Sequence, residues 1–120
     1  MPTPDKCVTI GPYFKVQSGK MPDFKKLCDR FMAQTATEQG CMYYGFAFED
    51  DVAFCREGYK DAEAILAHVK NVSALIEEAL GVSTLARLEI HGPESELAKL
   101  RGPLAGLKPQ FFVLEYGFRR

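Results

Sequence analysis

His68 is the residue of this chain best suited to proton-transfer chemistry. It lies in the last turn of a predicted helix, residues 61–70, whose apolar positions recur at helical spacing. Because the pKa of imidazole lies near neutrality, His68 could remove a proton from a phenol or a quinol. A structural role is the alternative, since a histidine at a helix C-terminus complements the helix dipole. Asn71, which follows, either orients a substrate carbonyl or caps the helix end.

Three tyrosines in predicted strands could position a substrate. Tyr43 and Tyr44 are adjacent in one strand, and Tyr59 ends the next. In an apolar cavity, a tyrosine hydroxyl can orient an aromatic ring and donate a hydrogen bond to an oxyanion. Strand alternation places Tyr44 on the face of Phe46, and Tyr43 on the opposite face with Gly45. Simple packing is the alternative role for each tyrosine.

Charged residues in the strands are a second group of candidates. Arg56 and Glu57 lie in an otherwise apolar strand, and buried charges are costly unless they are paired. They form a pocket pair, or Arg56 lies at an exposed edge. Arg87, Glu89 and His91 alternate along one face of a later strand. Because no two candidate ligands have metal-ligand spacing on one element, we expect no metal.

Two apolar runs, residues 41–48 and 111–118, barely alternate in polarity. A strand with one solvated face alternates, so both faces of this sheet should be covered. The chain has too few helices for that, and we therefore expect a homodimer with a cavity at the sheet. A cavity filled by phenylalanines would favour ligand binding or a structural dimer, whereas a roomy cavity that reaches His68 would favour an enzyme. The relevant phenylalanines are Phe46, Phe48, Phe112 and Phe118.

The order of elements predicts a ferredoxin-like α+β fold with an antiparallel sheet and two helices on one face. Gly11 and Pro12 interrupt the first strand, which suggests a bulge or an edge position. Gly40 should end the first helix in the left-handed conformation, and Ser73 should cap the third. The predicted strands are residues 6–16, 41–49, 52–59, 84–91 and 111–118, and the predicted helices are residues 22–38, 61–70, 74–80 and 93–100.

Composition excludes several classes of function. With 120 residues and a net charge of -1, the chain predicts one domain, residues 1–120, without the basic patch that nucleic-acid binding needs. No apolar run is long enough to cross a membrane, and residues 1–6 lack the apolar core of a signal peptide. The four cysteines are widely spaced, which indicates free thiols in a reducing compartment. We therefore expect a cytoplasmic protein.

Two motifs resemble the antibiotic biosynthesis monooxygenase (ABM) superfamily. The first is Glu38-Gln39-Gly40-Cys41 at a helix end, followed by a strand with tyrosines. The second is a strand with Glu57-Gly58-Tyr59 that leads into a helix ending in Ala67-His68. The resemblance covers residues 7–92 by element order and implies a dimeric α+β barrel of ferredoxin-like protomers. Residues 93–120 form an extension with one extra strand, which family members often use at the dimer interface.

The resemblance implies a cofactor-independent monooxygenase that acts on a small aromatic or quinol-like metabolite. In this hypothesis His68, beside the pocket, is the catalytic base, and Tyr43, Tyr44, Tyr59 and Asn71 bind the substrate. The chain has no tryptophan, which disfavours haem degradation, known in other members. The alternatives are an isomerase or decarboxylase of the same fold, and a non-catalytic dimer that binds an apolar ligand.

Overall fold

The computed structural model describes residues 3–120, and residues 1 and 2 of the predicted domain lie outside the described residues. The strands are β1 (Val8–Val16), β2 (Cys41–Glu49), β3 (Val52–Tyr59), β4 (Ser83–Gly92) and β5 (Gln110–Val113). The helices are α1 (Met21–Thr35), α2 (Ala62–Asn71), α3 (Ser73–Leu80) and α4 (Glu94–Leu97), with a 3-10 turn at Ala105–Leu107. Within residues 3–120, no helix is both long and apolar enough to cross a membrane.

The strands form one sheet in the order β2-β3-β1-β4-β5. The first four are antiparallel to their neighbours, which confirms the ferredoxin-like α+β prediction, whereas β5 pairs with β4 in parallel and makes the sheet mixed. β1 lies between β3 and β4, so the edge position that Gly11 and Pro12 had suggested as one alternative is wrong. Its pairing with β3 is interrupted between Ile10 and Tyr13, while Pro12 lies opposite Leu88 of β4.

One face of the sheet carries the helices, and the core between them divides into two clusters. Helical spacing puts Phe24, Leu27, Cys28 and Phe31 on one side of α1, and all four are buried, whereas Met32 at the edge of the same stripe is exposed. The four buried residues belong to a core cluster that includes Phe14, Val16, Val72 and Leu75. The other cluster includes Ile10, Tyr59, Ile65, Leu88, Leu100 and Leu104.

A β-bulge in β4 changes which residues face this core. The register with β1 jumps from Tyr13–Arg87 to Phe14–Leu85, so Ala86 is the extra residue. Leu85 therefore packs against both core clusters, and Ala86 is exposed. Simple alternation along the sequence would put Ala86 on the face of Leu88 and Leu85 on the face of Arg87, and it is wrong at these two positions because alternation fails across a bulge.

Helix α1 ends earlier than predicted. It stops at Thr35, and Gly40 does not take the left-handed conformation; within residues 3–120, Gly19 is the glycine that does, with φ 79°. Gly40 instead permits a close approach, because a Cβ there would lie 2.6 Å from the Cβ of Ala64 in α2. Glu38 consequently lies in a turn that packs beside α2. At α3, the predicted cap Ser73 is already helical and its side chain caps nothing.

The C-terminal extension adds a strand that is shorter than predicted. β5 ends at Val113, opposite Gly92, because β4 ends there and offers no further pairing partner. The rest of the predicted strand, residues 114–118, is not in the sheet, and Tyr116 and Phe118 are about four-fifths exposed, at 82% and 80%. The aromatic run at the C-terminus is therefore a surface feature of the single chain.

The C-terminal extension also forms a hydrogen bond with the first residue of α2. Glu96 is buried, and its Oε1 accepts a hydrogen bond of 3.0 Å from the backbone N–H of Ala62, the first residue of α2. The first N–H groups of a helix lack partners within the helix, so this carboxylate supplies one. As predicted, Asp61 marks the start of this helix, where its Oδ1 accepts from the N–H of Ala64 at 2.9 Å.

Replacing Glu96 with alanine should weaken this attachment. We expect Glu96→Ala to lower the free energy of unfolding by about 1–2 kcal/mol, because a buried helix N–H loses its acceptor. Glu94→Ala is the control, since Glu94 forms an exposed ion pair with Arg101, and should cost less than about 0.5 kcal/mol. Urea denaturation of both variants measures the difference, and equal losses would contradict this role.

Candidate active site

A pocket opens between the two core clusters, bounded by the sheet and by α1, α2 and α3. It has a cavity volume of about 70 Å³ and is partly open to solvent, and its lining is almost entirely apolar. The polar exceptions are Tyr44, Cys55, Glu57 and His68. Of the four phenylalanines whose filling of the cavity would have favoured ligand binding or a structural dimer, Phe46 lines the pocket and the other three do not. The pocket reaches His68, but its small volume meets only part of the condition for an enzyme, which was a roomy cavity that reaches His68.

His68 is held between two carboxyl groups. The side chain is buried, with the ring centroids of Tyr44 and Tyr59 at 5.4 and 5.2 Å. Its Nδ1 lies 2.9 Å from Oε2 of Glu38, and its Nε2 lies 3.3 Å from Oε1 of Glu57. Because the Glu38 carboxylate can only accept, Nδ1 is the nitrogen that donates to it. The Nε2 nitrogen then has a lone pair directed towards Glu57.

Glu57 lies on the inner face of β3 and is almost fully buried. The hydroxyl of Tyr59, two residues along the same face, donates to its Oε1 at 2.7 Å. Arg56 points to the opposite face, where its guanidinium lies 4.7 Å from the ring centroid of Tyr43. The suggested pocket pair of Arg56 and Glu57 is therefore wrong, because alternation along the strand separates the two side chains. We call Glu38, His68, Glu57 and Tyr59 the acid–base row.

Burial sets the protonation states in this row. It raises the pKa of Glu57 to about 8, against the opposing effect of the hydrogen bond from Tyr59. Burial also lowers the pKa of His68, while Glu38 favours the charged imidazolium. Near neutral pH, Glu57 is therefore a protonated carboxyl group and His68 is a neutral imidazole. An acid and a base that face one apolar pocket can move protons to and from a bound molecule.

Asn71 acts on this row from outside the pocket. Its Nδ2 donates to Oε2 of Glu38 at 2.8 Å and to the backbone oxygen of Gln34 at 3.1 Å. Asn71 does not line the pocket, so it is positioned to orient Glu38 rather than a substrate. The sequence had suggested that Asn71 binds the substrate. In the structure Asn71 contacts Glu38, and Glu38 in turn contacts His68, which lines the pocket.

The three tyrosines have different positions. Tyr44 lines the pocket, and burial raises its pKa, so that its hydroxyl remains protonated. Tyr59 is fully buried behind Glu57. Tyr43 lies on the outer face of the sheet, where its ring covers Gly58 so closely that a Cβ there would clash. The structure therefore brings Tyr44 and Tyr59 together with His68 and leaves Tyr43 apart from them.

The polar set on β4 also lies on the outer face. Nε of Arg87 is 2.6 Å from Oε2 of Glu89, and Nε2 of His91 is 3.0 Å from Oε1 of the same residue. The sheet separates these side chains from His68. Across residues 3–120, no three His, Cys, Asp or Glu side chains are grouped in a way that could hold a metal ion.

The sequence indicated no role for Glu38, and it suggested Glu57 only as a possible partner of Arg56. The alternation of Glu57 and Tyr59 placed them on one face, which was a usable signal for their hydrogen bond. Glu38 had no such signal. It was expected inside α1, and only the early end of that helix turns its carboxylate towards His68.

Glu57 should make the stability of the protein depend on pH. Its pKa is raised in the folded state, so raising the pH from about 5 to 8 ionises the unfolded chain first and destabilises the fold. Relative to Glu57→Gln, the wild type should lose about 1.4 kcal/mol per pH unit in this range. Urea denaturation at several pH values measures this slope. Glu77→Gln, on the exposed side of α3, is the control and should run parallel to the wild type.

Comparisons with known proteins concern the sequence and the fold of the whole chain. No family model matches the chain, and no curated protein matches it. Among solved structures, MupZ from Pseudomonas fluorescens is 44% identical, with 96% of this chain and 95% of that chain covered and a TM-score of 0.92.

More distant structures share the fold. A proposed antibiotic biosynthesis monooxygenase from Nitrosomonas europaea is 17% identical over 77% of this chain and 94% of its own, with a TM-score of 0.69. SnoaB, a cofactor-independent oxygenase from Streptomyces nogalater, is 18% identical over 71% of this chain and 88% of its own, with a TM-score of 0.61. These distant structures show that the fold is shared, and the near-complete match to MupZ shows that the chain belongs to the same family as MupZ.

Proposed function

We propose that this protein is a cofactor-independent monooxygenase that acts on a small aromatic or quinol-like molecule. One observation carries the proposal: His68 and Glu57 lie 3.3 Å apart and both line an apolar pocket, where burial raises the pKa of the carboxyl group and lowers the pKa of the imidazole. The apolar walls suit a ring or an alkyl group, and the polar groups of the lining can receive its hydroxyl or carbonyl oxygen. The free thiols of the chain suit a reducing compartment, and we propose the cytoplasm as its location.

The proposed reaction begins with proton removal. Nε2 of His68 takes a proton from an acidic O–H or C–H group of the substrate, and Glu38 stabilises the imidazolium through Nδ1. For this step, the substrate must replace the Glu57 carboxyl as the nearest neighbour of Nε2. The hydroxyl of Tyr44 is available to donate to the oxygen of the resulting anion.

The substrate anion then reduces O2. In this scheme a CH2 group beside the ring becomes C=O, one atom of O2 enters the product, and the other leaves as water. The proton held by His68 and the carboxyl proton of Glu57 are available for the departing oxygen, and the second C–H proton of the CH2 group restores the Glu57 carboxyl. All four electrons that reduce O2 come from the substrate, so the balance requires no flavin or metal.

An oxygen-independent isomerase is the second candidate. The observation that favours it is the neutral carboxyl of Glu57, 3.3 Å from the imidazole base. A base that removes a proton at one atom and an acid that returns it at another are sufficient for isomerisation. Decarboxylation would need the same groups, whereas a protein that only binds an apolar ligand would not need the acid–base row.

Oxygen uptake with a panel of quinols, anthrones and catechols tests the proposal. We expect uptake by the wild type and a fall in kcat/KM of about 10²–10⁴ for His68→Gln, because the general base is lost. His91→Gln is the matched control, since His91 is on the outer face and half exposed, and should retain its activity. Turnover that continues unchanged under argon would favour the isomerase. Full activity of His68→Gln would contradict the assigned base.

We further propose that the protein works as a homodimer. The face of the sheet opposite the helices carries Tyr43, Phe54 and Phe112, and Phe112 is 40% exposed. Apolar side chains on an uncovered sheet face favour association because association removes them from water. A second copy would cover the apolar runs whose weak alternation in polarity first suggested a partner.

Sedimentation equilibrium tests the dimer. The wild type should have twice the chain mass of 13.4 kDa, and Phe112→Glu should shift the equilibrium towards the single chain by placing a charge in the interface. Met32→Glu is the control, because Met32 is equally exposed but lies on α1, on the other side of the sheet. A wild-type mass of one chain would overturn the proposal.

A further inference from the structure

The C-terminal extension contributes a wall to the pocket. Within the 3-10 turn Ala105–Leu107, the side chain of Leu107 lines the pocket, whereas Ala105 and Gly106 face solvent. Leu107 also packs against the core cluster that contains Ile10 and Leu88. A segment that the sequence indicated only as a plain loop therefore supplies one of the apolar surfaces that a bound molecule would touch.

This wall is fixed to the rest of the molecule on both sides. Leu97, Leu100 and Leu104, which precede the turn, are buried at 0%, 0% and 3% exposure. After the turn, Lys108 takes a left-handed conformation with φ 53°, and β5 then joins the sheet. With Glu96 fastened to Ala62, the turn has little freedom to collapse into the pocket if the Leu107 side chain is shortened.

The extension that carries this wall is about as long as the part of this chain that two more distant structures of the same fold leave unmatched. The Nitrosomonas europaea protein and SnoaB match 77% and 71% of this chain but 94% and 88% of their own length. MupZ, by contrast, matches 96% of the chain.

We propose that Leu107 is a specificity-determining residue, which limits the apolar part of the molecule that the pocket accepts. The ligand class is a small amphipathic molecule with a hydroxyl group at the acid–base row and an alkyl or aryl body against Leu107. The inference rests on the proposed function only in taking this pocket as the substrate site. It requires neither oxygen chemistry nor turnover.

The first test places a larger side chain at position 107, so that it occupies part of the pocket. Binding of the apolar fluorophore N-phenyl-1-naphthylamine is titrated for the wild type, Leu107→Trp and the control Ala105→Trp, which alters the exposed side of the same turn. We expect Leu107→Trp to weaken binding at least tenfold and Ala105→Trp to change it less than twofold. Equal affinities for all three proteins, with unchanged melting temperatures, would overturn the proposal.

The second test enlarges the pocket. A series of 4-n-alkylphenols displaces the fluorophore, and the chain length that binds most tightly is compared between the wild type and Leu107→Ala. The substitution removes about three carbon atoms from the wall, so the optimum should move to longer chains. An unchanged optimum would overturn the proposal. Loss of the acid–base chemistry, as in His68→Gln, should leave the optimum in place, so this inference and the proposed function can fail separately.

Discussion

A carboxyl group buried in an apolar pocket imposes the central constraint on this structure. Ionised and unpaired, Glu57 would carry a large desolvation cost, since a buried charge is costly without a partner. The protein holds it neutral and gives it a donor, Tyr59, and a neighbouring base, His68. His68 is buried too, and it needs Glu38, which Asn71 holds in place. Each buried polar group therefore has a polar partner, and the series ends at the surface, where Asn71 donates to the backbone oxygen of Gln34.

The fold brings these groups together from separate parts of the chain. β3 supplies Glu57, α2 supplies His68, and the turn after α1 supplies Glu38. The turn can lie against α2 because Gly40 has no side chain to strike Ala64. The pocket lies between the two core clusters, so that His68 and Glu57 face a lining that is almost entirely apolar.

Much of this arrangement could be predicted from local patterns. The stripe on α1 and the order of elements follow from periodicity, and the place of His68 on α2 follows from the helix that contains it. The bulge at Ala86 could not be predicted, because Ala86 is apolar and continues the alternation of Leu88 and Ile90 in the sequence, although it is the extra residue. The role of Glu38 depended on where α1 ends, and tertiary contact with α2 decides that point. Similarly, β5 is short because its partner strand stops, a fact that its own aromatic sequence does not contain.

The contact between Glu96 and Ala62 has a thermodynamic consequence. It joins the extension to the helix that carries His68, so the two segments share part of one local unfolding equilibrium. A molecule that contacts both His68 on α2 and Leu107 in the extension would favour the folded form of both segments. By reciprocity, amide hydrogens of α4 and of the first turn of α2 would exchange more slowly together when the pocket is occupied. Slower amide exchange in α4, which carries none of the acid–base groups, would thus report that the pocket is occupied.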